Sequence, residues 1–521
     1  MKETTKTILF VAVAVLLTGA AFLRVPDRSA QNATFDDQGE PFFPDFKDPF
    51  ACTHLQVVDY EPTTATASEF EVKFQNGKWV IPSHYNYPAD AKDRLAKTAS
   101  SVMDLIKDTI RSDSVEDQEA MGVIDPLDTK VTSLKGRGKR VTLRDASEKI
   151  LADFIIGNEV RKDSEQSPGE APESHQYYVR VPDHKRIYGV NLKVDLSTKF
   201  PDWIETNLLK LDASKVRKVV IDHHRVDPAQ GALINGDIIT LERKDANSPW
   251  TTTGVPEGKE LDTEKLTALT SALADLKITG VRPKPDGLSQ DLKVATGDNV
   301  KPTTRQALSS LVNKGFYPTA KGLYSNQGQV TVSTDEGAVY TLRYGEVVLA
   351  SGLDLTAGTN ESEAAATKKD GKEQEPKKPE GATENRYLFV TVAFDPTLIP
   401  KPEASKEGDK APLTLPDDPF QKAPDDPERI AEEKAAKEKE EREKAEQERK
   451  VSENEKRVKE LSDRFAGWYY VTPGDSFKAI SLNRENLIRD PKPKEETGAP
   501  TGMPGMPPGF PHQGIPGFPG Q

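Results

Sequence analysis

A chain of 521 residues is long enough for two to four domains, but only 35% of its residues are hydrophobic and 30% are charged, so part of it must be solvated linker. The formal net charge of −13 at pH 7 argues against a nucleic-acid-binding protein, because phosphate binding requires a basic face. The single cysteine, Cys52, excludes an internal disulfide framework, a four-thiolate zinc site and Cys-x-x-Cys redox chemistry.

The N-terminus carries a signal for membrane insertion. Residues 8–23 are uncharged and apolar and lie between Lys6 and Arg24, which predicts a segment whose N-terminal end stays inside the cell. As a helix this run spans roughly 24 Å, less than the roughly 30 Å hydrocarbon core. Two interpretations stay open: an uncleaved membrane anchor, which is favoured because the flanking basic residues can snorkel, and a cleaved signal peptide. Residues 1–25 thus form the anchor or signal segment, and 26–49 a linker.

Two parts of the chain resemble each other in sequence. Its four tryptophans fall into two pairs at matching positions, Trp79 with Trp250 and Trp203 with Trp468. The first pair follows a strand-like run and precedes a helix-like run, and the second closes a Leu-Ser-x-x-Phe-x-x-Trp signature. A duplicated core predicts such pairs. We therefore interpret the tryptophans as structural core anchors, with stacking on sugars as the alternative.

This similarity predicts two homologous tandem units, residues 50–213 and 214–485. Strand-like runs such as residues 70–74 alternate apolar and polar residues, and each unit has an amphipathic helix with Asp90 or Asp262 as its N-cap. Alternation of this kind is typical of sheets with one solvated face. The predicted fold class is therefore α+β, with mostly antiparallel sheets and amphipathic helices.

Charged or Pro-rich stretches interrupt and follow the second unit. Aliphatic periodicity is missing from residues 357–385 and 398–427, which predicts disordered insertions. Residues 427–461 are almost wholly Glu, Lys, Arg, Ala and Gln, with acidic residues four positions before basic ones, which predicts a long solvated helix; a coiled-coil partner is the alternative. The composition of residues 486–521 predicts a disordered Pro/Gly-rich tail. A collagen triple helix is not expected, because the Gly-x-Pro register breaks too often.

Motifs that carry their own chemistry are missing. The sequence has no Gly-x-Ser-x-Gly elbow, no Walker-type loop, no His-Glu-x-x-His and no Gly-x-Gly-x-x-Gly. On a strand, Asp222 and His224 share a face, but two ligands make a poor metal site. Asp59 occupies the Asp222 position in the first unit, which favours a structural role. We predict no catalytic residue, no metal site and no cofactor, with Asp222 and His224 as the weak site candidates.

Four motifs resemble a known family: Gly77-Lys-Trp79, Pro88-Ala-Asp90, Met121-Gly-Val123 and Tyr177-Tyr-Val-Arg180. Over roughly residues 50–350 the chain resembles the bacterial membrane-anchored family known as domain of unknown function 4340. The resemblance implies a single-pass protein of the bacterial inner membrane, with the bulk of the chain on the periplasmic side. Family members are often encoded beside gliding-type ABC exporter components, and no catalytic residues come with the family.

These observations together predict a non-enzymatic accessory or scaffold component of an envelope complex. Its expected partners are the membrane, through the N-terminal helix, and an envelope protein, with ABC exporter subunits as candidates; no nucleic acid is expected. A glycan- or small-ligand-binding envelope module is the alternative, and a hydrolase is less favoured.

Overall fold

The computed structural model describes residues 37–63, 65–160, 176–193, 196–227, 230, 232–294, 304–319, 322–358, 384–400 and 427–491. The predicted membrane segment 1–25 and most of the predicted insertions and tail lie outside these residues. Among the helices that they form, none is long and apolar enough to cross a membrane.

The described residues form seven α-helices, numbered α1 to α7 in chain order: Lys92–Met103, Asp117–Met121, Thr263–Ala274, Arg305–Asn313, Gly352–Thr356, Pro427–Ala466 and Gly474–Ile480. The strands of the same residues are numbered β1 to β23: His54–Glu61, Thr66–Gln75, Lys78–Ile81, Tyr87–Pro88, Thr109–Ser112, Lys139–Arg144, Ile150–Glu159, Gln176–Arg180, Ile187–Asn191, Val216–Asp222, Arg225–Asp227, Ala232–Ile234, Ile238–Glu242, Thr251–Thr252, Glu260–Leu261, Gly280–Pro283, Phe316–Thr319, Gly322–Ser325, Gln329–Thr334, Ala338–Val348, Asn385–Phe394, Trp468–Pro473 and Ile488–Arg489.

Two large antiparallel sheets organise the fold. The first has the strand order β4-β3-β2-β1-β6-β7-β8-β9-β5, and the second has the order β14-β13-β10-β19-β20-β21-β22-β16. When strands are matched in chain order, from β1 with β10 to β9 with β22, the two orders are the same apart from the extra edge strand β4. The predicted class, α+β with mostly antiparallel sheets, is confirmed.

Strand pairing fixes how the two halves correspond. Val57 in β1 and Ile221 in β10 each lie opposite the valine of a Val-Thr pair in the next strand, β6 or β19. Val57 therefore corresponds to Ile221. The expectation that Asp59 and Asp222 are equivalent is wrong by one residue, and Asp222 has no acidic counterpart in β1.

One hydrophobic cluster runs through both halves of the chain. It contains the inward residues of both sheets and the apolar faces of α1 and α3, as the helical periodicity predicts. The last third of α6 adds Val458, Leu461 and Phe465 to it. The two sheets are thus joined by a shared core.

The two long helices of the halves begin differently. The Asp262 side chain accepts hydrogen bonds from the first turn of α3, which confirms it as the N-cap. The N-cap of α1 is Ala91, without a side-chain hydrogen bond. The prediction that Asp90 caps this helix is therefore wrong by one residue.

Each half begins with a segment that pairs with the loop behind its long helix. The Phe42 N–H donates to the Leu105 carbonyl oxygen at 2.9 Å, and in the second half the Leu208 N–H donates to the Leu276 carbonyl oxygen at 2.8 Å. Phe42 is buried in the core. The prediction of a linker over residues 26–49 is therefore wrong for the described part of that range.

The predicted disordered stretches are also folded at their ends. Ala357 and Ile399, which lie inside the two predicted insertions, are buried. Ile488–Arg489, at the start of the predicted tail, pairs as β23 with β15. The helix predicted over 427–461 is confirmed as α6, which extends beyond that range at its C-terminal end.

Two glycines at matching positions, Gly157 in β7 and Gly345 in β20, let their strands approach the C-terminal ends of α2 and α4. A Cβ atom at Gly157 would meet the Met121 carbonyl oxygen, and one at Gly345 would meet the Lys314 carbonyl oxygen, both closer than real Cβ atoms come to backbone. We expect Gly157→Ala and Gly345→Ala each to lower the free energy of unfolding by about 1–3 kcal/mol, measured by denaturant titration. Gly467→Ala is the control, because its Cβ would have no atom within 4 Å. Equal losses in all three variants would contradict this explanation.

Candidate functional site

The four tryptophans differ in burial. Trp203 is the largest fully buried side chain of the described residues, with 0% of its surface exposed. Trp79, Trp250 and Trp468 are partly buried and pack against the same core. Trp79 lies in β3 and Trp250 directly precedes β14, the matching strand, so the positions of this pair correspond.

The second predicted pair, Trp203 with Trp468, is wrong. Trp203 ends a 3₁₀-helix, and its carbonyl oxygen accepts from the N–H of Asp90, just before α1. In the second half, Leu487 ends a 3₁₀-helix and its carbonyl oxygen accepts from the N–H of Asp262, just before α3. Leu487 is therefore the counterpart of Trp203. Trp468 begins β22, which matches β9.

Asp222 and His224 meet at the end of β10. The Oδ2 atom of Asp222 lies 3.0 Å from Nδ1 of His224, and its Oδ1 atom accepts a hydrogen bond from the His224 backbone N–H, also at 3.0 Å. His223 is directed elsewhere, with Nε2 3.1 Å from the Leu482 carbonyl oxygen. The structure thus brings together the two predicted residues, Asp222 and His224, so that a carboxylate orients one imidazole ring.

The other nitrogen of that ring is unused within the described chain. His224 is 3% exposed, and its Nε2 atom is buried with no hydrogen-bond partner among the described residues. These residues contain no group of three or more His, Cys, Asp or Glu side chains that could hold a metal ion. An imidazole held in this way can form one further hydrogen bond to a bound group.

A second buried histidine, which the sequence analysis did not single out, lies where the two halves meet. His84 Nε2 is 2.9 Å from Thr356 Oγ1 in α5, and the ring stacks on Phe200 with centroids 4.1 Å apart. Burial, together with the nearby charge of Arg282, lowers the pKa of His84 to about 4. No sequence pattern marks this residue, because its partners lie far away in the chain.

Helix α6 projects from the body over much of its length. Residues 427–450, called the arm below, have exposed side chains at every described position except the half-buried Gln447. At 1.5 Å per residue the arm extends roughly 36 Å. It contains nine acidic and eight basic residues, and pairs such as Glu446 with Lys450, 2.7 Å apart, stabilise the helix without tertiary packing.

The other end of α6 is fixed to the body. Val458, Leu461 and Phe465 are buried, and Arg457 Nη1 lies 2.7 Å from a Glu336 carboxylate oxygen. The prediction of a solvated helix is therefore wrong for this end. The arm has a rigid base because the helix that forms it continues into the core.

The described chain is thus an α+β protein in which two antiparallel sheets share one core and a charged helix projects from the second half. Residues 79–291 match the family model described as Domain of unknown function (DUF4340), which confirms the resemblance to that family over this range. The match begins in β3, crosses the boundary between the halves and ends just after β16. No curated protein and no solved structure gives a significant match.

Proposed function

We propose that this protein is a non-enzymatic accessory or scaffold component of a bacterial envelope complex. Its predicted N-terminal segment holds it at the inner membrane, and its partner is an envelope protein, with ABC exporter subunits as the first candidates. The observation that carries the proposal is the arm, a charged helix that projects from a base buried in the core. Among the arm side chains that the structure describes, Gln447 alone is partly covered by the body, so packing against the body does not explain the length of the arm.

The chemistry of the arm favours a protein partner. Its nearly balanced charge gives no strong attraction to a polyanion, whereas alternating acidic and basic side chains along a rigid helix suit a complementary polar protein surface. A helix that is polar on all sides bridges or reaches between structures more often than it packs.

We also infer that the two halves arose by tandem duplication. The common strand order, the paired lead-in segments and the two equivalent glycine contacts support this origin. Duplication followed by divergence supplies two related surfaces on one rigid body, which suits a scaffold. The arm belongs to the second half alone and distinguishes it from the first.

Site-specific photo-crosslinking tests the proposal. A photoreactive residue is placed at Ala436 or Ala445 in the exposed arm, and at Ala146 in an exposed turn of the first half as the matched control. We expect crosslinks to an envelope protein in intact membranes from the two arm positions, identified by mass spectrometry. Crosslinks from Ala146 alone, or none from any position, would overturn the proposal.

Removal of the arm is the complementary experiment. Gln447 Nε2 donates a hydrogen bond to the Pro400 carbonyl oxygen at 3.3 Å, so residues 401–446 leave and return to the body at neighbouring points. A short Gly-Ser linker from Pro400 to Gln447 should leave the thermal midpoint unchanged, because the deleted side chains make no core contacts in the described residues. Co-purification of the partner should be lost. Retained co-purification by this folded variant would contradict the role of the arm.

A further inference from the structure

The outer face of the second sheet carries a row of polar side chains. Asp222, Gln329 and Arg343 lie opposite one another on β10, β19 and β20. Their chain neighbours on these strands belong to the shared core, so the three side chains point to the other face. A separate small hydrophobic cluster joins this face to the β17–β18 hairpin, which therefore covers part of the row.

Arg343 is a half-buried cation whose hydrogen-bonding capacity is scarcely used by the described residues. Its Nη1 atom donates to Thr391 Oγ1 at 3.3 Å, while its Nε atom is buried with no partner among the described residues. It forms no ion pair with a described carboxylate. Burial lowers the pKa of Arg343, and Tyr324 acts in the opposite direction. The guanidinium therefore pays a desolvation cost that the described residues do not offset.

The two buried arginines of the described residues, Arg180 and Arg282, are compensated by backbone carbonyl groups. Arg180 donates to the carbonyl oxygens of Val123 and His184 at 2.9 and 3.0 Å. Arg282 donates to the carbonyl oxygen of Asp354 at 2.8 Å, with further bonds to neighbouring carbonyls. The fold thus compensates these two guanidinium groups, whereas the half-buried Arg343 makes one long hydrogen bond among the described residues.

Tyr324 contacts His224, and the strand of Tyr324 contacts the strand of Arg343. Strand β18, which carries Tyr324, contacts both β20 and β11, and the ring meets His224 edge-on with centroids 5.5 Å apart. Because Nδ1 of His224 is held by the Asp222 carboxylate, Nε2 is the ring nitrogen left for a hydrogen bond to a ligand. Tyr324 and Arg343 are both half-buried, so solvent reaches these two side chains.

We propose that Arg343, Tyr324 and His224 form a binding site for a small organic oxyanion that also carries a hydroxyl group. The planar guanidinium of Arg343 binds the carboxylate or phosphate oxygens in the two-pronged geometry that suits it. The ligand hydroxyl donates to His224 Nε2, and the Tyr324 hydroxyl completes the contacts. A hydroxycarboxylate, a sugar acid and a phosphorylated polyol all have this chemistry.

Calorimetric titration and thermal unfolding of the full-length protein in detergent test this site. The probes are lactate and glycerol 3-phosphate, which separate a carboxylate from a phosphate source, with propionate as the carboxylate that lacks the hydroxyl and sodium chloride as the ionic-strength reference. We expect at least one hydroxylated probe to bind and to raise the unfolding temperature above the salt reference. Propionate should bind more weakly than lactate if lactate is the ligand type. No binding by either hydroxylated probe overturns the proposal.

Three variants locate the binding. Arg343→Met keeps the length of the side chain and removes its charge, and should weaken binding about tenfold or more. Tyr324→Phe removes one hydroxyl, should weaken binding less, and tests the site even if the first variant folds poorly. Lys244→Met removes an exposed charge and should leave binding unchanged. Binding that survives both Arg343→Met and Tyr324→Phe at full strength overturns the proposal.

Discussion

Trp203→Ala should lower the free energy of unfolding by about 3–5 kcal/mol, the usual loss for a fully buried large aromatic residue. The Trp203 ring lies 6.0 Å from the Phe70 ring, centroid to centroid, and the Arg94 guanidinium lies 5.0 Å from its centroid. Its Nε1 atom also donates to the Ser197 carbonyl oxygen at 2.8 Å. Truncation removes all of these contacts and leaves the half-buried Ser197 carbonyl oxygen without this donor. Denaturant titration measures the loss.

Trp79→Ala is the matched control for this prediction. Trp79 is only partly buried and packs at the edge of the core against Phe74, with ring centroids 5.3 Å apart. Truncation there removes less apolar surface from the folded state, so we expect less than half the loss at Trp203. Equal losses at the two positions would show that burial does not distinguish the two tryptophans.

Acid should weaken the junction between the halves through His84. Its pKa is lowered from 6.5 to about 4 in the folded protein, so the folded state prefers the neutral ring. Stability from this residue is complete above pH 6.5, where both states are neutral, and falls as pH drops towards 4, because the unfolded chain takes up the proton first. The shift corresponds to about 3 kcal/mol.

The comparison with His84→Gln isolates this contribution. Gln keeps a hydrogen-bonding group near Ser83 and Thr356 but does not titrate. We expect the stability difference between wild type and variant to shrink by about 3 kcal/mol between about pH 7 and about pH 4, in denaturant titrations at each pH. Parallel pH profiles for the two proteins would rule out the proposed role of His84.

The sequence predicts the fold class well because periodicity records which residues face the core. The leucines of α1 and α3 and the alternation in the strands carry that information directly. Periodicity does not predict the register of β1. Val57 and Val58 are both apolar and both buried, so the sequence alone does not tell which of them faces the core. The one-residue error at Asp59 and Asp222 follows from this ambiguity.

The pairing of Trp203 with Trp468 failed for another reason. The residues that match in sequence up to Trp203 lie in a loop and a 3₁₀-helix. Those that match up to Trp468 lie at the end of α6 and the start of β22. Similar spacing of Leu, Phe and Trp arises there from two different structures. Helical spacing of apolar residues is the more informative signal here, since Val458, Leu461 and Phe465 mark the end of α6 that packs on the core.

The candidate site was predicted only in part. The structure brings Asp222 and His224 together as predicted, but not as neighbours on one strand face: β10 ends at Asp222, and the Asp222 side chain accepts a hydrogen bond from the His224 N–H beyond the strand. Arg343 and Tyr324 were not predicted, because β18 contacts β20 and the His224 ring only through tertiary packing, which leaves no local pattern. His84 was missed for the same reason.

Because Pro400 and Gln447 lie close together, the length of the arm can change with little effect on the stability of the body. Because the chain leaves and returns at almost one point, an increase in the length between these residues adds only loop-closure entropy, about 0.6 kcal/mol for each doubling. Insertions or deletions in this stretch therefore change how far the protein extends without weakening its core. Spacing within an assembly can evolve here by simple changes of length, while the sheets remain under the constraints of packing.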